Sequence, residues 1–237
     1  MAGPATQDHA FVLHTRRYRE NSLLLEALTR EHGRVGLVAR VGSGKRRNGR
    51  DQLQAFRPLL CVWQGRGELH TLTNWETADT LPALTGERLL SGLYLNELVV
   101  RLAGRGEGDS RLFERYATTL TLLAHGEALE PVLRAFEVAL LEISGYGLEL
   151  AYTADSGEPI APGQQYRYVP DHGPHPVESR DDGITVAGAT LLALGGARPL
   201  APDVLPDAKR FMRALLAHHL GDRPLHARSL FAGSDPA

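Results

Sequence analysis

The chain holds a single cysteine, Cys61, among 237 residues, so it can form neither an internal disulfide nor a cysteine cage for a metal. It has no apolar run near the roughly 20 residues that cross a bilayer. Its start, Met1 to His9, lacks the basic and apolar segments of a secretory signal. A cytoplasmic location without membrane contact is therefore expected. No GxSxG, HExxH or dinucleotide fingerprint occurs, and no internal repeat or low-complexity tract is visible. A P-loop is excluded as well, because Ala39 and Arg46 stand where its first glycine and its Ser or Thr are required around Gly44-Lys45. These absences favour a binding protein over an enzyme.

Net charge is also nearly lacking, at −2, but its distribution is uneven. Met1 to Thr80 carries 12 Lys+Arg against 8 Asp+Glu, and the remainder carries 14 against 20. A basic module joined to a more acidic body follows from that asymmetry. The basic residues gather between Arg34 and Arg50, where Arg34, Arg40, Lys45, Arg46, Arg47 and Arg50 occur with no acidic residue among them. Val35 to Ala39 has the content of a strand, and Gly42, Gly44, Asn48 and Gly49 punctuate a loop after it. Cationic groups on a glycine-rich loop can follow a phosphate backbone; the plainer alternative is a solvated hairpin tip.

Short extended segments surround this stretch. Phe11 to His14 opens a strand, Arg16 to Asn21 reads as a polar turn, and Ser22 to Thr29 resumes extended character before Gly33. Leu53 to Trp63 reads as a fourth strand interrupted at Pro58, with Glu68 to Thr73 returning after the Gly65-Arg66-Gly67 turn. Five such strands in about 75 residues predict a small closed barrel of OB-fold type. Its candidate base-stacking aromatics are Tyr18, Phe56 and Trp63, each of which could equally belong to the core.

Near Ala78 to Gly86 the apolar period changes to 3.6. Helices are predicted over Glu87 to Leu102, Ser110 to Ala124, from Pro131 to Gly145, and Pro206 to Leu220, with a short one at Thr190 to Leu194. Thr153 to Ile184 reads as an irregular insertion or a small ribbon containing one extended piece, Gln165 to Val169. The predicted class is α+β: an OB-fold domain over 1–80, then a helical domain over 81–237 with a loop-rich insertion around 151–184.

Few residues suggest bond-making chemistry. His172 and His175, with Asp171, Asp181 and Asp182 nearby, have a metal-compatible spacing, but the stretch is loop-like and no metal is expected. His218 and His219 occupy adjacent helix positions and are expected to diverge. Cys61, in an apolar strand without a charged neighbour, reads as core.

Several strings, taken in order, resemble the RecO family of bacterial recombination mediators. They are Phe11-Val-Leu-His14 with Arg16, Gly33-Arg34-Val35, Gly65-Arg66-Gly67-Glu68, Ser91-Gly-Leu-Tyr-Leu-Asn-Glu97, Arg134-Ala-Phe-Glu-Val-Ala-Leu-Leu141, Gly145-Tyr146-Gly147 and Lys209-Arg210-Phe211. The resemblance spans Phe11 to Phe231. It implies a non-enzymatic protein of the RecF pathway that binds single- and double-stranded DNA, anneals complementary strands and, with RecR, helps load recombinase onto DNA coated by single-stranded DNA-binding protein, SSB. No cofactor is implied here, because the four-cysteine zinc site of many members has no cysteine to match it between Ala151 and Val177.

The family's DNA surface maps onto Arg34, Arg40, Lys45, Arg46, Arg47 and Arg50, with Arg16 and Arg66, extended by Lys209, Arg210 and Arg213. Its site for the acidic C-terminal tail of SSB maps onto Arg134, where a guanidinium can take a carboxylate bidentately. The ordinary alternative pairs Arg134 with Glu130 or Glu137 on its own helix. Two other readings use the same residues: an OB-fold RNA-binding protein of translation or ribosome assembly, and a metal-dependent nuclease built on His172 to Asp182.

Overall fold

A computed structural model describes residues 4–41, 51–106, 108–179, 182–221 and 223–227. Five strands, β1 (Thr6–Tyr18), β2 (Ser22–Thr29), β3 (Gly33–Arg40), β4 (Pro58–Gln64) and β5 (Leu69–Thr77), close into a barrel in the order β1-β2-β3-β5-β4. Every pairing is antiparallel except β3 with β5. This is the OB-type arrangement expected from the strand spacing. Alternate residues fill its interior, with Leu23, Leu25 and Ala27 of β2 meeting Val35, Leu37 and Ala39 of β3, and Leu59, Cys61 and Trp63 coming from β4.

Several boundaries differ from the sequence reading: β1 already begins at Thr6, β5 runs on to Thr77 and the third helix begins at Leu129. The strand β1 continues through Arg16 and Arg17 to Tyr18, and only Arg19, Glu20 and Asn21 form the loop. Pro58 begins β4 instead of interrupting it, which spares the barrel a missing N–H inside a ladder.

The strand β1 buries Ala10, Phe11, Val12 and Leu13 in succession, because both of its faces are covered there. Ala10 and Val12 enter the barrel core, while the Phe11 ring lies 5.2 Å from both Phe113 and Tyr116. Those two residues belong to helix α2 (Ser110–Ala124), which follows α1 (Gly86–Leu102). The register of β1 against β2 shifts between Val12 and His14, leaving the Leu13 carbonyl to accept from Asn96 Nδ2 of α1 at 2.9 Å. The Tyr116 hydroxyl donates to Asn96 Oδ1. The barrel, α1 and α2 therefore form one compact unit, Met1–Gly126 with Leu225–Ala237. Glu97 completes it by accepting from the N–H groups of His226 and Ala227 at 2.9 Å each.

The second unit, Glu127–Pro224, contains α3 (Leu129–Ile143), strands β6 (Gln165–Val169), β7 (Gly173–Pro176) and β8 (Ile184–Ala187), and helices α4 (Gly188–Leu194) and α5 (Leu205–Leu220). The glycine- and proline-rich region is thus a three-stranded antiparallel sheet in the order β7-β6-β8. Tyr168 of β6 packs edge-on against Phe211 of α5 at 5.0 Å. Ahead of β6, the Thr153 and Ile160 N–H groups donate to the Glu158 and Ala151 carbonyls, which closes the loop on itself.

Replacing Asn96 with Leu removes its hydrogen bonds to the buried Leu13 carbonyl and to the Tyr116 hydroxyl. It is expected to cost about 2–3 kcal/mol, and Tyr116→Phe, which removes one hydrogen bond, about 1 kcal/mol. Urea unfolding with an unchanged slope measures both; equal and negligible losses would show that the junction does not hold the helices to the barrel.

Candidate nucleic-acid interface and partner site

The hairpin β1–β2 and the end of β3 bring several cations together. Tyr18 pairs with Ser22, which pairs in turn with Arg40, and the Val41 N–H donates to the Asn21 carbonyl at 3.0 Å. Arg16, Arg17, Arg19 and Arg40 are all exposed around this end of the barrel. Arg17 and Arg19 were not singled out from the sequence, because the run Arg16-Arg17-Tyr18-Arg19 read as a turn. Its length beyond His14 continues the strand into the hairpin. The Arg19 guanidinium sits 5.2 Å above the Tyr18 ring, in a loop position with φ of 55°. Lys45, Arg46, Arg47 and Arg50 lie outside the described residues. Arg66 is exposed before β5, whose first residue pairs with Gly36, so it lies toward the opposite end of β3 from Arg40.

Arg34 is placed differently from its neighbours in sequence. Its side chain is 14% exposed, Nη1 donates to Glu26 Oε2 at 3.2 Å, and Nε donates to the Ala103 carbonyl at 3.2 Å. Burial, with Arg105 adding to it, pulls the Arg34 pKa below its usual value against the opposing pull of Glu26. Glu26 also receives Arg105, so one carboxylate joins two guanidiniums. Through these bonds Arg34 fastens β3 to the end of α1. Beside it runs a groove of about 390 Å³ lined by His14, Arg16, Leu24, Glu26, Leu69 and Arg105. Leu69 is 44% exposed within it, and a side chain at Gly36 would press on the Glu68 carbonyl oxygen at 3.0 Å.

The candidate stacking aromatics separate. Trp63 is 3% exposed and packs in the barrel core, its ring nearly perpendicular to that of His32 at 5.5 Å, so it cannot stack on a base. Phe56 is half-buried at a φ of 68°, and its ring occupies the space that a side chain at Gly92 would need. Tyr18 alone stays beside the basic hairpin. Cys61 is buried, and desolvation followed by the charge of Asp8 pushes its thiol up to about 12, far from a reactive thiolate.

In the second unit Arg134 is 5% exposed. Its Nη2 lies 2.7 Å from Glu137 Oε1 and 4.0 Å from Glu130 Oε2, while its Nε is buried without a hydrogen-bond partner. The structure thus adopts the helix-internal pairing that the sequence left as the alternative. Lys209 Nζ lies 2.6 Å from Glu130, and Arg210 pairs with Asp207; Arg213 is exposed. His175 is buried against Asp155 at 2.8 Å and His172 is exposed, and the two do not gather a metal-ligand set among the described residues. His218 and His219 do not diverge as expected: both reach Asp171, with all three ligand atoms within 4.8 Å of one another. No described helix is long and apolar enough to cross a membrane.

A closed barrel of OB order followed by helices and a small sheet defines an α+β protein of the OB-barrel class, with cations grouped at one barrel end. The profile described as recombination protein O N terminal matches residues 1–81, and that described as recombination protein O C terminal matches 83–229. The chain belongs to the recombination protein O, or RecO, family. It is similar to the DNA repair protein RecO of Nitrosococcus oceani, 47% identical over 222 residues covering 93% of this chain and 90% of the relative. The DNA repair protein RecO of Methylococcus capsulatus is 46% identical over 96% of this chain and 93% of its own length, and that of Aliivibrio salmonicida 42% identical over 93% of each. The four-cysteine zinc set found in many members does not fit this chain, whose one cysteine is in the barrel core.

Arg34→Ala is expected to lower unfolding free energy by about 1.5–3 kcal/mol, since it removes hydrogen bonds to a charged, largely buried partner and to the Ala103 carbonyl. The exposed Arg40→Ala should stay within about 0.5 kcal/mol of wild type. Paired urea titrations check this, and equal effects would contradict the division between a structural and a free arginine.

Proposed function

We propose that the chain acts in DNA repair and homologous recombination as a non-catalytic mediator that binds single- and double-stranded DNA and anneals complementary strands. The observation that carries this reading is the convergence of Arg16, Arg17, Arg19 and Arg40 at one barrel end, with Arg40 followed in sequence by the basic run Lys45 to Arg50. Arg16, Arg17 and Arg40 have no carboxylate partner among the described residues, so they can exchange counterions for phosphates without breaking an existing pair. Cationic surface shared by two strands lowers their mutual repulsion and so favours annealing. Leu24 and Leu69 offer apolar contact beside Arg16, and recognition should depend little on base sequence because the exposed groups supply charge more than base-edge geometry.

If about five phosphates are neutralised, log affinity falls with log salt at a slope near −4 to −5. Replacing Lys45, Arg46 and Arg47 together with Ala should flatten that slope by about 2–3 in fluorescence titrations at several salt concentrations. An unchanged slope would remove the segment from the DNA site.

With RecR, the protein would help load recombinase onto SSB-coated DNA, guided by capture of the acidic SSB tail at Arg134. That guanidinium is already held by Glu137, so the tail carboxylate must take over this pairing, with exposed Lys209 and Arg213 on α5 adding attraction. A labelled SSB-tail peptide is expected to bind in the micromolar range by anisotropy. The double variant R134M/E137L, which avoids leaving a lone buried charge, should abolish binding while the chain stays folded. Undiminished binding would place the tail elsewhere.

A further inference from the structure

The turn between β6 and β7 and the last turn of α5 carry three side chains that neither the DNA reading nor the tail reading uses: Asp171, His218 and His219. We propose that they form a binding site for one late first-row divalent cation of the Zn²⁺ class, held by two imidazoles and one carboxylate. Their ligand atoms all lie within 4.8 Å of one another, and His218 Nε2 is 3.8 Å from Asp171 Oδ2. A cation bonded at about 2 Å to each brings such atoms to within roughly 3.5 Å, a contraction that small side-chain rotations supply. Among the described residues this is the one cluster of three or more His, Cys, Asp or Glu side chains so close together.

The backbone presets the arrangement. Asp171 sits at a φ of 63° in a tight turn closed by the His172 N–H donating to the Val169 carbonyl at 3.0 Å, between paired Val169 and Gly173. Aspartate tolerates that left-handed conformation, and the turn projects its carboxylate toward α5. On α5 the two histidine rings stand nearly perpendicular, 5.2 Å apart, and the ring of Tyr146 packs against His219 at 4.4 Å. Burial, and after it the opposed effects of Asp171 and His218, sets the His219 pKa below its ordinary value.

Two nitrogen donors and one oxygen donor suit Zn²⁺, Co²⁺ or Ni²⁺ better than Mg²⁺ or Ca²⁺, which take oxygen ligands. Three protein ligands leave one tetrahedral position for water or an added ligand. A cation there ties the β6–β7 turn to the end of α5. Its binding is therefore linked to the stability of this unit. The ligands differ from a four-cysteine set in chemistry.

Tag-free full-length protein, stripped with chelator, is titrated with Zn²⁺ by calorimetry and with Co²⁺ by visible absorption. One equivalent per chain is expected, with cobalt bands of four- or five-coordinate intensity and a rise in melting temperature on adding Zn²⁺. D171N, which keeps the turn, and H218Q, at an exposed position, should each weaken binding by at least about tenfold, since even the loss of outer partners costs that much. H125Q, a control in the first unit, should bind as wild type does. Absence of saturable binding, or one-equivalent binding undiminished in the D171N/H218Q double variant, would overturn the proposal.

Discussion

The side chain of Asn96 is the point through which the first unit is held together. A bulge in β1 frees the Leu13 carbonyl, and Asn96 Nδ2 reaches from α1 to satisfy it, while Asn96 Oδ1 receives the hydroxyl of the fully buried Tyr116 from α2. A buried amide with both ends engaged is favourable only in this geometry, since a shift of either helix would leave polar groups in an apolar setting. Around it Phe11, Phe113 and Tyr116 supply apolar contact without direction. The hydrogen bonds fix the register of two helices against a strand that hydrophobic burial alone would leave free to slide. The matched family segments divide near residue 82, whereas close packing divides after Gly126, because α1 and α2 pack on the barrel.

This junction also accounts for the string Ser91 to Glu97, which carried part of the family resemblance. Gly92 makes room for the Phe56 ring, Tyr94 and Leu95 are buried, Asn96 forms the junction, and Glu97 caps the N–H groups of His226 and Ala227. Almost every position has a separate steric or polar duty. The resemblance was legible there because few other residues could perform them.

Barrel strands and helices were readable because each buries one face at a fixed period, and the alternation of Leu23, Leu25 and Ala27 or the stripe of Leu112, Phe113, Tyr116, Leu120 and Leu123 states that period directly. The extension of β1 through Arg16 and Arg17 was hidden, since both residues are exposed and leave no burial pattern. The sheet β7-β6-β8 was only half legible for a related reason: its strands are short, and Gly173-Pro174 and Gly183 look like turns. In the candidate site, the basic character of the barrel end was evident from charge. The pairing of Arg34 with Glu26 was not, because it joins residues on neighbouring strands. Equally, the approach of Asp171 to His218 and His219 joins a turn to a distant helix, and adjacency on that helix suggested divergence.

The two kinds of cation in this protein follow from how each is solvated. Arg34 and Arg134 have given up most of their water, and what stabilises each is a carboxylate at 3.2 Å and 2.7 Å respectively. An incoming anion gains from either only by displacing that carboxylate, Glu26 or the fully buried Glu137, from its guanidinium. Arg16, Arg17 and Arg40 retain their water and their diffuse counterions, whose release on contact with a polyanion is favourable entropically and requires no rearrangement. A long phosphate backbone is therefore best met by the barrel end, through many weak contacts. Under the proposed function, a terminal carboxylate at Arg134 has to displace Glu137. The exposed arginines thus differ from the buried ones in what an anion must displace to reach them.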